Sequence, residues 1–65
     1  MRVIYEPATD TMVISPRESA IEESEEVRPG VIADFDAAGE VVRFEVLDAS
    51  RVVENPREMR FVIAE

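Results

Sequence analysis

Five carboxylates in the middle of the chain are the residues whose types could support chemistry: Asp34, Asp36, Glu40, Glu45 and Asp48. Oxygen ligands of this kind suit hard cations such as Mg²⁺ or Ca²⁺, and two carboxylates across a cleft can act as general acid and base. However, their spacing is not that of a calcium loop. Asp36 suits a turn start, Asp48 suits a helix cap, and Asp34 is expected to face away from the core. We therefore expect structural roles and no metal site, with a carboxylate-dependent metal-binding protein or hydrolase as the alternative.

The residue inventory is poor for catalysis. The chain contains no His, Cys or Lys, which removes the commonest general base and the most readily activated nucleophiles. None of its serines could be activated by a neighbouring histidine or lysine. We expect a chain that is not an enzyme and that needs no cofactor.

The charge balance limits the partners. Fifteen acids against seven bases, all of them arginine, give a net charge of -8. Such a surface repels nucleic acid and anionic membranes, so neither is expected as a partner. The chain has no long apolar run, and Arg2, Glu6 and Asp10 interrupt its beginning. We expect neither a transmembrane span nor a signal peptide, and hence a cytoplasmic protein.

Residues 17–26 hold the best candidate for an interaction surface. The glutamates of this stretch are Glu18, Glu22, Glu23, Glu25 and Glu26. Their mutual repulsion favours an extended or mobile segment, anchored to the core by Ile21 and followed by a short strand over residues 25–28. The glutamates could attract a basic protein partner, and a simple solvated loop is the alternative.

The length of 65 residues predicts one domain, over residues 1–65, with a small core. A chain of this size without cysteines lacks the disulfides and zinc thiolates that stabilise many small domains. Association is the remaining route to stability. We expect a homodimer, with a purely structural subunit of an assembly as a further alternative.

The first two strands are predicted at Arg2–Glu6 and Thr11–Ser15, joined as a hairpin across residues 7–10. Alternation places Val3 and Tyr5 on one side, together with Met12 and Ile14 of the second strand. Tyr5 is expected to be half-buried, with its hydroxyl bonded to Asp10 or to the backbone.

The second hairpin lies between residues 30 and 46. A four-residue loop over 36–39 would pair Ala33 with Val42 and Val31 with Phe44, which gathers the apolar residues on one face. The other face would carry Ile32, Val41 and Arg43. Its apolar residues need a cover, and a second subunit is the expected source.

The C-terminal part is expected to be short helical turns followed by a packed end. Asp48 or Ser50 can cap a helix over residues 50–54, and residues 55–58 repeat the capping pattern. Residues 61–63 are too apolar for a free tail and predict a strand or packed segment, which either completes the sheet or reaches across a dimer. The fold is therefore mainly β, an antiparallel meander of about five strands with one or two short C-terminal helical turns. The predicted core comprises Val3, Tyr5, Met12, Ile14, Val31, Phe35, Val42, Phe44 and Val46.

Three blocks of residues occur in a characteristic order and spacing. They are Tyr5-x-Pro7-x-x-Asp10, Gly30-Val31-Ile32-x-Asp34-x-Asp36-x-x-Gly39-x-Val41-Val42 and Glu45-Val46-Leu47-Asp48-Ala49-Ser50. With these blocks the chain resembles the small bacterial proteins catalogued as domain of unknown function 2283. Arg43, where members often carry glycine, and Pro16, which interrupts a strand, depart from the pattern.

The resemblance implies a sheet-rich domain and brings no activity, ligand or catalytic residue with it. Some members of the family are thought to be encoded beside small toxin-like proteins, which implies an antitoxin-like role. Together with the acidity and the small size, this predicts a non-catalytic protein-interaction module.

Overall fold

Five short segments, four of them rich in apolar residues, form one antiparallel sheet, and a single helical turn follows it. The computed structural model describes all residues from 1 to 65. The chain contains no helix long and apolar enough to cross a membrane. The mainly β fold class is confirmed. The elements are β1 (Arg2–Glu6), β2 (Thr11–Ser15), β3 (Glu23–Arg28), β4 (Val31–Phe35), β5 (Val41–Val46) and α1 (Ala49–Val52).

The strand order is β1-β2-β5-β4-β3, which places β5 at the centre and β1 and β3 at the edges. This order is not that of a sequential meander, because β2 pairs with β5 and the chain then passes over β5 and β4 to reach β3. Residues 16–22 make that connection. The sheet therefore has one face crossed by this connection and one left to the C-terminal part of the chain.

The two faces follow from the register. We call the side that carries Val3, Tyr5, Met12, Ile14, Val31, Ala33, Phe44 and Val46 the first face. The second face carries Ile4, Val13, Ile32, Asp34, Arg43 and Glu45. The first hairpin has the predicted strands, and Val3 lies opposite Ile14 and Tyr5 opposite Met12, as alternation predicts.

The loop of the second hairpin differs from the prediction. It is closed by a hydrogen bond from the Asp36 N–H to the Glu40 carbonyl (3.0 Å), which leaves three loop residues instead of four. Gly39, the last of them, has a φ of +80°, which a residue without a Cβ adopts most easily. A β-bulge follows at Val42, since Phe35 pairs with Val41 but Asp34 pairs with Arg43.

The bulge changes which residues share a face. Ala33 pairs with Phe44 and Val31 with Val46, each two residues from the predicted partner. A shift of two keeps the side-chain direction, so Phe44 and Val46 lie on the predicted face. Val42, the extra residue, instead lines a groove with Ile4 and Val13 on the second face.

The core is smaller than predicted because the sheet is a single layer. The buried apolar residues are Ala33, Val42, Val46 and Ala49, and the other seven predicted core residues are only half-buried. Residues 53–60 lie against part of the first face, and residues 16–22 against part of the second. Neither segment contributes the second layer that would close a core.

The C-terminal part is less regular than predicted. The helix is a single turn over Ala49–Val52, and residues 55–58 form a turn in which the Asn55 side chain accepts the Arg57 N–H (3.1 Å). Within a single chain, residues 61–63 do not form the predicted strand or packed segment, because they are irregular and exposed, and the alternative that they reach across a dimer stays a prediction. Apolar composition alone does not supply a surface on which a segment can pack.

Candidate functional site

The acidic residues of the sequence lie largely on the edge strand β3. All six residues of β3 are exposed, and Glu23, Glu25 and Glu26 are among them. The strand starts two residues earlier than predicted, so much of the acidic stretch is ordered in the sheet. Glu22 lies at its start, where its N–H donates to the Phe35 carbonyl (2.8 Å), and Glu18 lies in the connection before it.

The edge of β3 offers unused hydrogen-bonding groups. β3 pairs only with β4, so every second backbone N–H and C=O along it points away from the sheet. Glu25 lies across from Ala33 and Glu26 across from Ile32, which places these glutamates on opposite faces. The ion pairs of the chain all lie elsewhere: Arg17–Asp36, Arg43–Asp34 and Arg43–Glu45. The edge therefore combines open backbone groups with an excess of negative charge, since its three glutamates outnumber its one basic residue, Arg28.

A second polar cluster lies on the second face around Asp34. This carboxylate points away from the first face as predicted, but it is 1% exposed and is the chain's one buried polar residue. Ser24 donates its hydroxyl to Asp34 Oδ1 (2.5 Å), and Arg43 donates its Nε–H to Oδ2 (2.7 Å). Alternation predicts on which side a residue lies but not how deeply it is covered, which is why the burial was missed.

The cluster contains two carboxylates, Asp34 and Glu45, whose pKa values shift in opposite directions. Desolvation raises the pKa of Asp34, but the hydrogen bonds from Ser24 and Arg43 outweigh it and keep the pKa below its usual range. Desolvation raises the pKa of Glu45, and the neighbouring Asp34 carboxylate raises it further. Arg43 Nη2 lies 3.6 Å from Glu45 Oε2, so its compensation there is weaker. Ionised Asp34 is thus the fixed charge, and Glu45 is the member that takes up a proton first.

The other carboxylates do not join this cluster. Asp36 accepts the backbone N–H groups of Ala38 and Glu40 (3.0 Å each), which confirms its predicted role at the turn. Asp48 occupies the N-cap position of α1, but its side chain makes no capping bond. No group of three or more acidic side chains is placed to hold a metal ion. Of the five carboxylates considered as a cation site, only Asp34 and Glu45 come together.

The predicted second-face residues are separated by the bulge. Ile32 and Arg43 lie on the second face, whereas Val41 lies across from Phe35, on the opposite side to the predicted one. Part of the second face is covered by the chain itself, since Ile21 of the connection lines a groove with Val42. Ile21 is 41% exposed there, so it contacts the groove without anchoring the acidic stretch in the core, contrary to the prediction.

A hydrogen-bonded link at the other end of the sheet joins the first hairpin to α1. The Tyr5 hydroxyl donates to Asp10 Oδ1 (2.7 Å), as predicted. The same carboxylate accepts the backbone N–H (3.0 Å) and the hydroxyl (2.6 Å) of Ser50. Hydrogen bonds from Ser50 first, and then from Tyr5, lower the pKa of Asp10. The bond to Ser50 was not predicted, because Ser50 lies far away in sequence and only the fold brings it close.

The sheet and the hydrogen-bonded link between Tyr5, Asp10 and Ser50 lie in the part of the chain that matches a protein family. The family described as a protein of unknown function (DUF2283) matches residues 2–50. The chain belongs to this family. The match begins at β1 and ends within α1, so residues 51–65 lie outside it. No curated protein and no solved structure matches the chain.

Membership in the DUF2283 family thus covers the sheet of this chain but assigns no activity to it. Within that region the most motif-like polar residues have structural partners: Tyr5 and Ser50 both donate to Asp10, and Arg43 donates to Asp34. The edge strand β3 lies in the same region and has no such partners for its glutamates. It is the candidate functional surface of this DUF2283 member.

Proposed function

We propose that this chain is a cytoplasmic, non-catalytic protein-interaction module that binds a basic segment of a partner protein along β3. The observation that carries the proposal is the fully exposed acidic strand at an open sheet edge. An extended partner segment would add a strand to the sheet through backbone hydrogen bonds, and the glutamates would select basic side chains. An antitoxin-like role, in which the module covers a basic protein, is one form of this proposal.

The charge distribution supports a foreign partner at this edge and disfavours a second copy there. Each β3 carries three glutamates against one arginine, Arg28, so two β3 strands side by side would bring together an excess of negative charge, and like charges in neighbouring strands are destabilising. A basic strand would gain from the same arrangement, and long-range attraction would speed its association.

The module is further proposed to act as a homodimer. Only 5 of its 65 residues are buried, which supports the expectation that one copy cannot close a core alone. No cysteine is present to cross-link the chain. The dimer would leave β3 free for its partner.

Fluorescence anisotropy with an extended peptide of alternating arginine and valine tests the partner proposal. We expect binding that weakens as salt is raised, because salt screens charges beyond about 10 Å at 0.1 M. Binding should also slow amide hydrogen exchange in β3. We expect a triple variant to lose its affinity for the peptide. This variant combines Glu23→Gln, Glu25→Gln and Glu26→Gln.

A matched control keeps net charge constant between variants. Glu6→Gln with Glu40→Gln and Glu65→Gln changes the charge equally at exposed residues outside β3. If both triple variants lose the same affinity, the peptide senses only net charge and the β3 site is refuted. Absence of binding to the unmodified chain would refute it as well.

A further inference from the structure

The first face of the sheet carries an open apolar groove. It has a volume of about 480 Å³ and is lined on the sheet side by Met1, Val3, Tyr5, Met12 and Ile14. Residues 53–60 form its other wall. The Arg57 guanidinium carbon lies 6.0 Å from the centre of the Tyr5 ring, so this wall contacts the sheet near one end of β1. The groove is the largest apolar concavity of the chain, and its sheet residues are only half-buried.

The chain leaves this groove with three bulky apolar residues in a row. Arg60 still lines the groove, whereas Phe61, Val62 and Ile63 are 79%, 75% and 74% exposed. Met59, at the groove wall, is 65% exposed. A run of this kind at the edge of an apolar groove marks an interaction surface.

The exposed apolar area fits the needs of a dimer. Burying one such side chain removes about 60–120 Å² of apolar surface from water. Met1, Met59 and residues 61–63 together would thus supply roughly 300–600 Å². A standard interface takes about 800 Å² from each partner, of which slightly more than half is apolar. These residues alone provide a large share of that apolar part.

The charges beside the groove fit a second copy of the same chain. The chain as a whole is strongly acidic, so two copies repel each other over most of their surfaces. Residues 51–60 are the exception, because Arg51, Arg57 and Arg60 are interspersed there with Glu54 and Glu58. None of these five takes part in an ion pair within the chain. A surface that carries both signs can pair with itself about a two-fold axis, as an isologous interface requires.

We infer that two copies dock through this groove, with residues 61–63 of each copy covering apolar residues of the other. The arginines beside the groove of one copy face the glutamates of its partner. The inference rests on the proposed homodimer and names its surface, which is the first face and not the second face expected from the sequence. The β3 edge stays open in this arrangement.

Sedimentation equilibrium over a concentration series of the full chain tests the surface. We expect a dimer whose dissociation constant rises by at least roughly tenfold in Phe61→Ser with Ile63→Ser, since exposed interface anchors carry most of the binding energy. These residues lie in an exposed, irregular segment, so the fold should be unaffected. The matched control, Ile21→Ser with Val27→Ser, removes two exposed apolar residues outside the groove and should leave the constant unchanged.

A charge exchange gives a second, independent measurement. Arg57→Glu with Arg60→Glu, and Glu54→Arg with Glu58→Arg, should each weaken self-association, and the mixture of the two variants should form a heterodimer. A dimer that keeps its affinity in the serine variant, or a mixture without heterodimers, overturns this surface but leaves the homodimer standing. A chain that stays monomeric throughout the series overturns the homodimer itself, and peptide binding at β3 is measured separately.

Discussion

Asp10 caps helix α1 from a position 40 residues before Ser50, since its carboxylate accepts both the backbone N–H and the hydroxyl of Ser50. Its backbone carbonyl also accepts the Ala49 N–H (2.8 Å). These bonds satisfy donors that a helix start leaves unpaired. The nearer candidate, Asp48, makes no side-chain cap. The helix therefore depends on the turn between β1 and β2.

Asp10→Asn should destabilise the chain, because the amide offers one oxygen where the carboxylate uses two. Loss of one accepted hydrogen bond costs about 1 kcal/mol, which lowers the Tm of a domain of this size by roughly 4–8 °C. Asparagine tolerates the left-handed backbone of Asp10 (φ 52°), so the change isolates the hydrogen bonds. Thermal unfolding followed by circular dichroism measures the effect.

The matched control is Asp48→Asn. Asp48 has nearly the same backbone conformation (φ 51°) and carries the same charge, but makes no capping bond. Its substitution should leave the Tm unchanged. Equal losses in the two variants would mean that Asp10 acts through its charge or backbone and not as a cap.

Local patterns predicted the parts of this fold that local physics determines. The first hairpin and the first-face position of Phe44 follow from alternation along single strands. The bulge at Val42 was missed because the alternation of apolar and polar residues gives no sign of an inserted residue. Without a bulge, a three-residue loop would put apolar residues on both faces of the sheet, so alternation favours a four-residue loop. The place of β3 at an edge was missed because strand order depends on pairings between distant segments.

The candidate site was predicted in composition and not in geometry. The glutamates of β3 stand out in the sequence as an acidic run, but a charge run is more often a loop than a strand. Asp34 was correctly assigned to the second face, while its burial comes from Ser24 of β3 and Arg43 of β5. Contacts of this kind between neighbouring strands cannot be read from one strand alone.

Asp34→Asn should weaken the fold by about 2–3 kcal/mol, less than the 3–5 kcal/mol typical of a fully buried pair, because Arg43 is partly exposed. The amide keeps one acceptor oxygen where the carboxylate uses two, and Arg43 loses its charged partner. Urea unfolding at neutral pH measures the change. Adding Arg43→Met should cost less than the sum of the two single changes, since the partners are coupled. Additive losses would show that the pair is not a unit.

Glu45 should give the chain a stability maximum in mildly acidic solution. The pKa of Glu45 is raised in the folded chain. Between the unfolded pKa of about 4.3 and the folded pKa, the folded chain therefore binds more protons than the unfolded chain. Lowering the pH through that window stabilises the folded chain. Asp34 acts oppositely: its lowered pKa contributes stability that is present above about 3.9 and is lost as the pH falls through the folded value. Urea unfolding from pH 3 to 8 should therefore pass through a maximum.

Glu45→Gln should remove the acidic rise. The amide can donate to Asp34 as a protonated Glu45 would, so stability at pH 7 should increase by about 0.5–1 kcal/mol, the value of one hydrogen bond. The gain should vanish near pH 4, where Glu45 of the unmodified chain is itself protonated. Glu40→Gln removes the same charge at an exposed site and corrects for the relief of general repulsion. If Glu40→Gln gives an equal gain with the same pH profile, the rise comes from net charge and not from the carboxylate pair on the second face.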